Sequence, residues 1–174
     1  MIEKKGRIRA GSAADYFALS RISSEVFSIY GDYTEILPGY LLCEFVKTFI
    51  YEIDEDFAGF IQVFIDEKKL KKTRVLNADV LSVAVTTRHQ GRGVGTALFE
   101  HLLRFMDTLA EKSCHAEIQL TVAHTNNRAI KFFRRLGFEL DGRETGNYSG
   151  GQRALVMSRC LKSRPDQTAR TRSE

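Results

Sequence analysis

The 174-residue sequence lacks several features that would define its class at once. No apolar run reaches the roughly 20 residues that a membrane-spanning helix needs. The segment MIEKKGRIRA at the start lacks the apolar stretch of a signal peptide, so we expect a cytoplasmic protein. Cys43, Cys114 and Cys160 form no Cys-x-x-Cys pair, which argues against a zinc site and a disulfide framework. The four histidines show no metal-ligand spacing, and we expect no bound metal.

Charge of one sign does not dominate the chain, because the formal net charge is only +4. With 43% hydrophobic and 28% charged residues, the composition is that of a soluble globular protein. We expect one domain over residues 1–161, followed by a disordered polar tail at 162–174. Basic residues cluster at 68–74 and in the tail without interleaved aromatics, so a nucleic-acid surface is not favoured. We expect a monomer or a homodimer.

Hydrophobic periodicity predicts strands and helices in the order β-α-α-β-β-β-α-β-α-β-β. The apolar run at 80–85 suits a strand buried on both faces of a sheet, and the alternating pattern at 117–122 predicts the next strand. A short helix is expected at 40–46, and the charged segment 66–74 is expected to be a solvated loop. Strand–helix–strand units then imply α/β packing around a mixed sheet.

A glycine-rich turn, RHQGRGVG at residues 88–95, stands between an apolar strand and a helix. Glycines allow main-chain amides to approach a ligand, and a helix N-terminus attracts anions, so the turn suits a diphosphate. A flexible turn is the alternative. A Walker loop is excluded because Thr96 and Ala97 follow Gly95 where Lys and Ser or Thr are required. A dinucleotide fold fits poorly, since the spacing is not Gly-x-Gly-x-x-Gly and the next strand lacks a terminal acidic residue.

Two motifs in this order resemble those of the GCN5-related N-acetyltransferase (GNAT) family. The segment RHQGRGVGTAL resembles the cofactor motif Q/R-x-x-G-x-G/A, and NNRAIKFFRRLGFEL resembles the N-x-x-A and G-F signature. The residues at the named positions are Gln90, Gly93, Gly95, Asn126, Ala129, Gly137 and Phe138. The predicted order of elements also agrees with the family over residues 6–161.

The resemblance implies a single-domain α/β fold with a mixed, mostly antiparallel, twisted sheet that splays between the fourth and fifth strands. About seven strands would be flanked by about four helices. It also implies acetyl-CoA, or another acyl-CoA, as co-substrate, with the acyl group passing directly to a primary amine in a ternary complex. Val83 and Val85 would pair with the pantetheine arm as an added strand does. The cofactor-binding residues that we expect are Val83, Ala84, Val85, Gln90, Gly91, Arg92, Gly93, Val94, Gly95, Thr96, Asn126 and Phe133.

Catalytic residues are harder to assign. Asp79 stands at the offset from Gln90 where histone-acetylating members carry a glutamate, so it is our candidate base, acting through water. A solvated Asp at a strand edge is the alternative. Phe133 occupies the place of the tyrosine that serves many members as acid. Either Tyr148 replaces that acid, or solvent protonates the thiolate, or the protein is a weak catalyst. His124 is a further candidate proton shuttle, with a plain loop histidine as the alternative.

The amine acceptor, a small molecule or a peptide or protein amine, is expected to bind the segment FSIYGDYTEILPGYLLCEF after the first helix and the turn at Asp54–Asp56. Acidic residues there would attract a cationic amine and tyrosines would shape the pocket, although solvated acids and packed tyrosines are the alternative. These residues are Asp32, Glu35, Glu44, Tyr30, Tyr33 and Tyr40. The competing function is a non-catalytic or weakly catalytic acyl-CoA-binding regulatory module, which Phe133 favours and Asp79 opposes.

Overall fold

The structure, a computed structural model, describes residues 6–70, 73–110 and 115–161. Seven strands form one sheet in the order β1-β2-β3-β4-β5-β7-β6. The strands are β1 (Gly6–Ala10), β2 (Val46–Ile53), β3 (Asp56–Leu70), β4 (Thr73–Val85), β5 (His115–Ala123), β6 (Glu139–Asn147) and β7 (Arg153–Leu161). The α-helices in the described ranges are α1 (Tyr16–Phe27), α2 (Ile36–Gly39), α3 (Val94–Ala110) and α4 (Asn127–Arg135).

The predicted element order and the mixed sheet are confirmed. Strands β4 and β5 are parallel, and every other pairing in the described part of the chain is antiparallel. None of the helices in the described ranges has the length and continuous hydrophobicity needed to span a bilayer. The tail expected at 162–174 lies outside the described residues, so its disorder stays a prediction.

The sheet separates two apolar layers. On one face, α3 buries a stripe at helical spacing, Val94, Leu98, Leu102 and Met106, against strand residues such as Ile118. On the other face, α1 and α2 bury a smaller set of residues, which are Leu19, Ile22 and Leu37 of the helices with Ile50, Phe60 and Ala84 of the sheet. The two faces of the sheet therefore carry different helices. Strand β4 contributes residues to both layers.

Strand β4 contains a bulge that opens the sheet. Val80 pairs with Val63 and Ser82 pairs with Gln62, so Leu81 is the extra residue. The parallel pairing of β4 with β5 ends at Val80, opposite Leu120. The splay expected between the fourth and fifth strands is therefore confirmed. Burial of residues 80–85 on both faces is only partly right, because Leu81 is 39% exposed where the strands separate.

One local prediction is wrong and one is only partly right. The charged segment expected to be a loop at 66–74 is strand in its described residues, since β3 continues to Leu70 and β4 begins at Thr73; residues 71 and 72 lie outside the described ranges. Opposite charges across this hairpin stabilise it, and Arg74 Nε donates to Glu67 Oε1 at 2.7 Å. The helix expected at 40–46 is partly right: a 3-10 helix spans Tyr40–Leu42, directly after α2 at Ile36–Gly39, and strand β2 begins at Val46. Pro38 lies in the first turn of α2, where proline is tolerated.

Arg9 connects strand β1 to the rest of the domain by binding two buried carboxylates. Its Nη2 and Nη1 donate to the two oxygens of Asp15 at 2.6 and 2.8 Å, and its Nε donates to Glu52 Oε1 at 2.6 Å. Hydrogen bonds from Arg9 lower the pKa of Asp15, although burial opposes this. Burial alone would raise the pKa of Glu52, but hydrogen bonds from Arg9 and Arg7 outweigh it and lower the pKa.

We expect this network to make folding stability fall in acid. Since both carboxyl pKa values are lowered by folding, the stabilisation is fully present above the unfolded values of about 3.9 and 4.3. It is lost as the pH falls through the lower, folded values. Urea midpoints measured from about pH 6 down to about pH 2.5 should fall less steeply for Asp15→Asn than for the wild type. The control is Asp107→Asn on the exposed side of α3, and equal slopes for the two variants would contradict the assignment.

Candidate active site

A cleft of about 850 Å³ opens where β4 and β5 separate. One end is formed by the glycine-rich turn before α3, the middle by β4, β5 and α4, and the other end by α1, α2 and the turn between β6 and β7. The residues predicted for the site that line it are Val83, Ala84, Val85, Gln90, Gly91, Gly93, Val94, Gly95, Thr96, Asn126, Phe133 and Tyr148. Asp79, Arg92 and His124 are not among its lining residues. The functional roles of all these residues stay predictions.

The glycines of the turn differ in how far their positions require glycine. Gly91 and Gly93 have φ of +74° and +83°, a conformation that side chains with a Cβ rarely adopt. A Cβ at Gly95 would lie 3.4 Å from the ring of Phe132, which is ordinary van der Waals contact, so the spacing of α3 and α4 does not require glycine there. The main-chain conformation therefore favours glycine at Gly91 and Gly93.

Unpaired amides of α3 face this end of the cleft. The bond from Ala97 N–H to Gly93 C=O, at 2.9 Å, closes the first turn of the helix. The preceding amides of Val94, Gly95 and Thr96 have no helical carbonyl to bind, as at the start of any helix. Together with the helix dipole they form a site suited to an anion.

Hydrogen bonds connect the two sequence motifs. Gln90 Nε2 donates to Val85 C=O at 3.1 Å, and Arg128 Nη1 donates to Gln90 Oε1 at 3.0 Å. Asn126 Oδ1 accepts from Ala129 N–H at 3.0 Å, which makes Asn126 the N-terminal cap of α4. Arg128 also lines the cleft, and the sequence analysis missed it. Its position between Asn126 and Ala129 of the second motif was the available signal.

At the far end of the cleft, the turn after β6 contacts the residues that directly follow α1. Gly150 N–H donates to Tyr30 C=O at 3.0 Å, and Gln152 Nε2 donates to Ile29 C=O at 2.9 Å. The ring of Tyr148 lies 5.4 Å from that of Tyr30. These contacts form one wall, which we call the acceptor wall: the end of α1, α2, and the turn at residues 148–152.

Tyr148 keeps its phenolic proton in this wall. Burial raises the pKa of Tyr148, and the hydrogen bond from its hydroxyl to Thr121 Oγ1, at 3.2 Å, partly opposes that increase. Phe133, also in the cleft, packs its ring 5.5 Å from that of Phe99 and 6.1 Å from that of Phe138. Of the two residues, only Tyr148 has a proton to donate.

Asp79 and His124 occupy positions beside the cleft. The Asp79 carboxylate accepts a hydrogen bond from Gln119 Nε2 of β5. Gln119 and Thr121 are two residues apart on one strand, so Asp79 and Tyr148 approach the same face of the sheet. His124 Nδ1 accepts from Arg153 N–H at 3.0 Å, which makes it a link between the end of β5 and the start of β7.

The acceptor wall contributes apolar and aromatic side chains to the cleft, including Phe27, Tyr30, Tyr33 and Leu37. Among the described residues that line the cleft, none is acidic. The acids expected there have other surroundings: Glu35 accepts from the Tyr16 hydroxyl at 2.9 Å, and Asp32 accepts from Thr34 N–H at 3.0 Å. Glu44 is exposed outside the cleft, and Tyr40 is not among the lining residues.

Known proteins are similar to this chain in sequence. An N-alpha-acetyltransferase from Sulfurisphaera tokodaii is 28% identical over 133 residues, which cover 71% of this chain and 78% of the relative. A streptothricin acetyltransferase from Streptomyces lavendulae is 30% identical over 109 residues, or 60% of this chain and 52% of the relative.

Solved structures give the same picture. Ard1 from Thermoplasma volcanium has a TM-score of 0.68 at 27% identity, covering 90% of this chain and 97% of that one. Arabidopsis thaliana NAA60, solved in complex with acetyl-CoA, has a TM-score of 0.75 over 90% of this chain and 99% of that one. Its 17% identity makes it a likeness of fold alone.

The family model described as the acetyltransferase (GNAT) family matches residues 17–138. This match spans most of the chain and includes both the glycine-rich turn and the Asn126 motif. The chain therefore belongs to the acetyltransferase (GNAT) family.

Proposed function

We propose that the protein is an acetyl-CoA-dependent N-acetyltransferase that moves an acetyl group directly to a primary amine in a ternary complex. One observation carries the proposal: a single cleft joins the anion site at α3, the open edge of β4 and the acceptor wall. The related folds of NAA60 with acetyl-CoA, and of PaiA from Thermoplasma acidophilum with coenzyme A, support the choice of co-substrate.

The residues in the cleft fit acetyl-CoA. Main-chain amides from Gly91 to Thr96 would hold the diphosphate, because they combine unpaired N–H groups with the positive end of the helix dipole. Among the described residues, strand β4 has no β5 partner beyond Val80, so Val83 and Val85 present main-chain groups to the pantetheine amides, except for the Val85 C=O, which accepts from Gln90 Nε2. Bound acetyl-CoA supplies an activated thioester. The chain holds and orients it.

Catalysis by this chain requires a base, an oxyanion donor and an acid. Asp79 would accept the amine proton through water on the face that it shares with Thr121 and Tyr148. A main-chain N–H of β4 past the bulge would stabilise negative charge on the carbonyl oxygen. Tyr148, kept protonated by burial, would donate to the leaving sulfur.

An α-amine beside an apolar group is the acceptor that fits the wall best. An α-amine has a pKa of about 8, so its neutral form at pH 7 costs about 1 kcal/mol, against about 4–5 kcal/mol for a lysine amine. The wall supplies apolar contact through Phe27, Tyr33 and Leu37 and lacks lining carboxylates for a polycation. The N-alpha-acetyltransferase from Sulfurisphaera tokodaii supports the same class.

We expect turnover with an apolar α-amine to exceed turnover with a polyamine. A peptide with a free N-terminal methionine should show kcat/KM at least about tenfold above spermidine, because desolvating a polycation without acidic partners is costly. The matched control is the same peptide with its N-terminus blocked and a free lysine. Release of CoA thiol from acetyl-CoA is measured for each amine.

The competing regulatory module makes a different prediction in that assay. Phe133, which carries no hydroxyl at the usual position of the acid, favours it. A chain of that kind would be stabilised against heating by CoA, since the folded state alone binds it, yet no amine would release thiol. The proposed enzyme requires both thermal stabilisation by CoA and amine-dependent thiol release.

Arg128 is expected to contribute to CoA affinity. Its guanidinium lines the cleft near the glycine-rich turn, and a charge-assisted bond to a phosphate is worth about 1.5–3 kcal/mol. Arg128→Gln should therefore weaken CoA binding by about tenfold or more in calorimetric titration. Arg134→Gln is the control because Arg134 is exposed on the same helix and does not line the cleft. Equal weakening in both variants would mean general charge attraction rather than a contact.

Removal of the Tyr148 hydroxyl is expected to lower kcat by about 100-fold, the usual contribution of a general acid. Because burial raises the pKa of Tyr148, the wild type should keep its activity above the ordinary tyrosine value of about 10 and then lose it. Tyr148→Phe should lack that alkaline decrease. Tyr40→Phe removes a hydroxyl from a tyrosine that does not line the cleft and serves as the control. Unchanged turnover of Tyr148→Phe at every pH would exclude the acid role.

A further inference from the structure

A fully buried amide lies beneath the cleft. Gln62 of β3 has no exposed surface, although its neighbours on the strand are apolar. Its Nε2 donates to Leu37 C=O at 2.8 Å and to Thr48 Oγ1 at 3.2 Å. Its Oε1 accepts from Ser82 Oγ at 2.9 Å. The hydrogen-bonding capacity of a buried amide must be used in this way, because an unpaired one costs free energy.

The partners of Gln62 belong to opposite sides of the cleft. Leu37 is in α2, within the acceptor wall, and Ser82 directly follows the bulge residue Leu81 on β4. Both Leu37 and Ser82 line the cleft, whereas Gln62 itself does not. The side chain of Gln62 therefore connects α2, in the wall expected to receive the amine, with β4, the strand expected to hold the thioester.

We propose that Gln62 is a positioning residue that sets the distance between these two sides, acting through Leu37 and Ser82. This inference rests on the proposed acetyl transfer. Direct transfer requires the amine nitrogen to contact the acyl carbon in an orientation that allows attack. A displacement of about 1 Å lowers the rate by up to about 100-fold. The turnover rate therefore depends on the position of α2 relative to the part of β4 that follows the bulge.

The sequence positions of the partners explain why a hydrogen bond performs this task. Helix α2 is only four residues long and has no strand ladder to hold it, whereas the segment of β4 after the bulge is paired with β3, with Ser82 opposite Gln62. Apolar contact is non-directional and permits sliding, while the two ends of an amide fix a distance and an angle. Thr48 bonds the same amide from β2 but does not line the cleft.

The test compares variants at the two kinds of partner. Ser82→Ala removes the bond on the cleft side, and Gln62→Leu removes the whole bridge. Thr48→Val is the matched control because it deletes one bond to the same amide and leaves the Leu37–Ser82 bridge intact. Each variant is measured for kcat and KM with whichever amine of the earlier assay the wild type acetylates fastest. CoA affinity is measured by titration, and Tm by thermal unfolding.

We expect Ser82→Ala to lower kcat by about tenfold and to raise the KM for the amine, with CoA affinity within about twofold of wild type. Thr48→Val should lose a similar amount of Tm while its kinetics stay near wild type. Ser82→Thr, which keeps the hydroxyl, should restore most of the activity. A folded Gln62→Leu variant should lose more kcat than Ser82→Ala, with the same pattern in KM and CoA affinity.

Two results would overturn the inference separately from the proposed function. If Ser82→Ala and Thr48→Val lose Tm alike and keep wild-type kinetics, the amide serves packing only. If CoA affinity falls as far as kcat, the amide supports the cofactor side rather than the distance between the two sides. A wild type that releases no CoA with any amine contradicts the proposed function itself, and the inference falls with it.

Discussion

The extra residue in β4 governs the arrangement of the site. Leu81 shifts the strand against β3, and the ladder between β4 and β5 stops at Val80 and Leu120. Main-chain amides in a protein interior are almost always paired, so a strand edge left open at this depth calls for an external partner. The ladder to β5 ends one residue before this insertion, and the insertion moves the later side chains of β4 to the other face of the sheet.

Each end of the cleft is held by contacts between segments far apart in sequence. At one end Gln90 bonds both the end of β4 and Arg128 of α4, which keeps the glycine-rich turn against the strand. At the other end the turn after β6 is fastened to the end of α1 through Gly150 and Gln152. The sheet supplies the opening, and these side chains determine its shape.

Much of this arrangement could be predicted because its causes are local. Element order follows from hydrophobic periodicity, and the cap at Asn126 and the two glycines of positive φ in the turn follow from main-chain geometry that few residue types satisfy. The pairing of β3 with β4 near residues 66–74 was not predicted, because it depends on a cross-strand contact between Arg74 and Glu67. Along the sequence, the same residues resemble a charged loop. Gln62 was missed for a related reason: its partners become neighbours only once the sheet and α2 have formed.

The fastening of α1 to the turn at 148–152 also bears on how molecules enter and leave. Two hydrogen bonds and a tyrosine pair join these segments, so separating them costs several small free energies together, about 1 kcal/mol for each hydrogen bond. Movement of the turn away from the segment after α1 therefore requires both hydrogen bonds and the ring contact to break together. Opening at this end is coupled to the loss of three contacts at once, which makes it a local unfolding step with a modest cost in free energy.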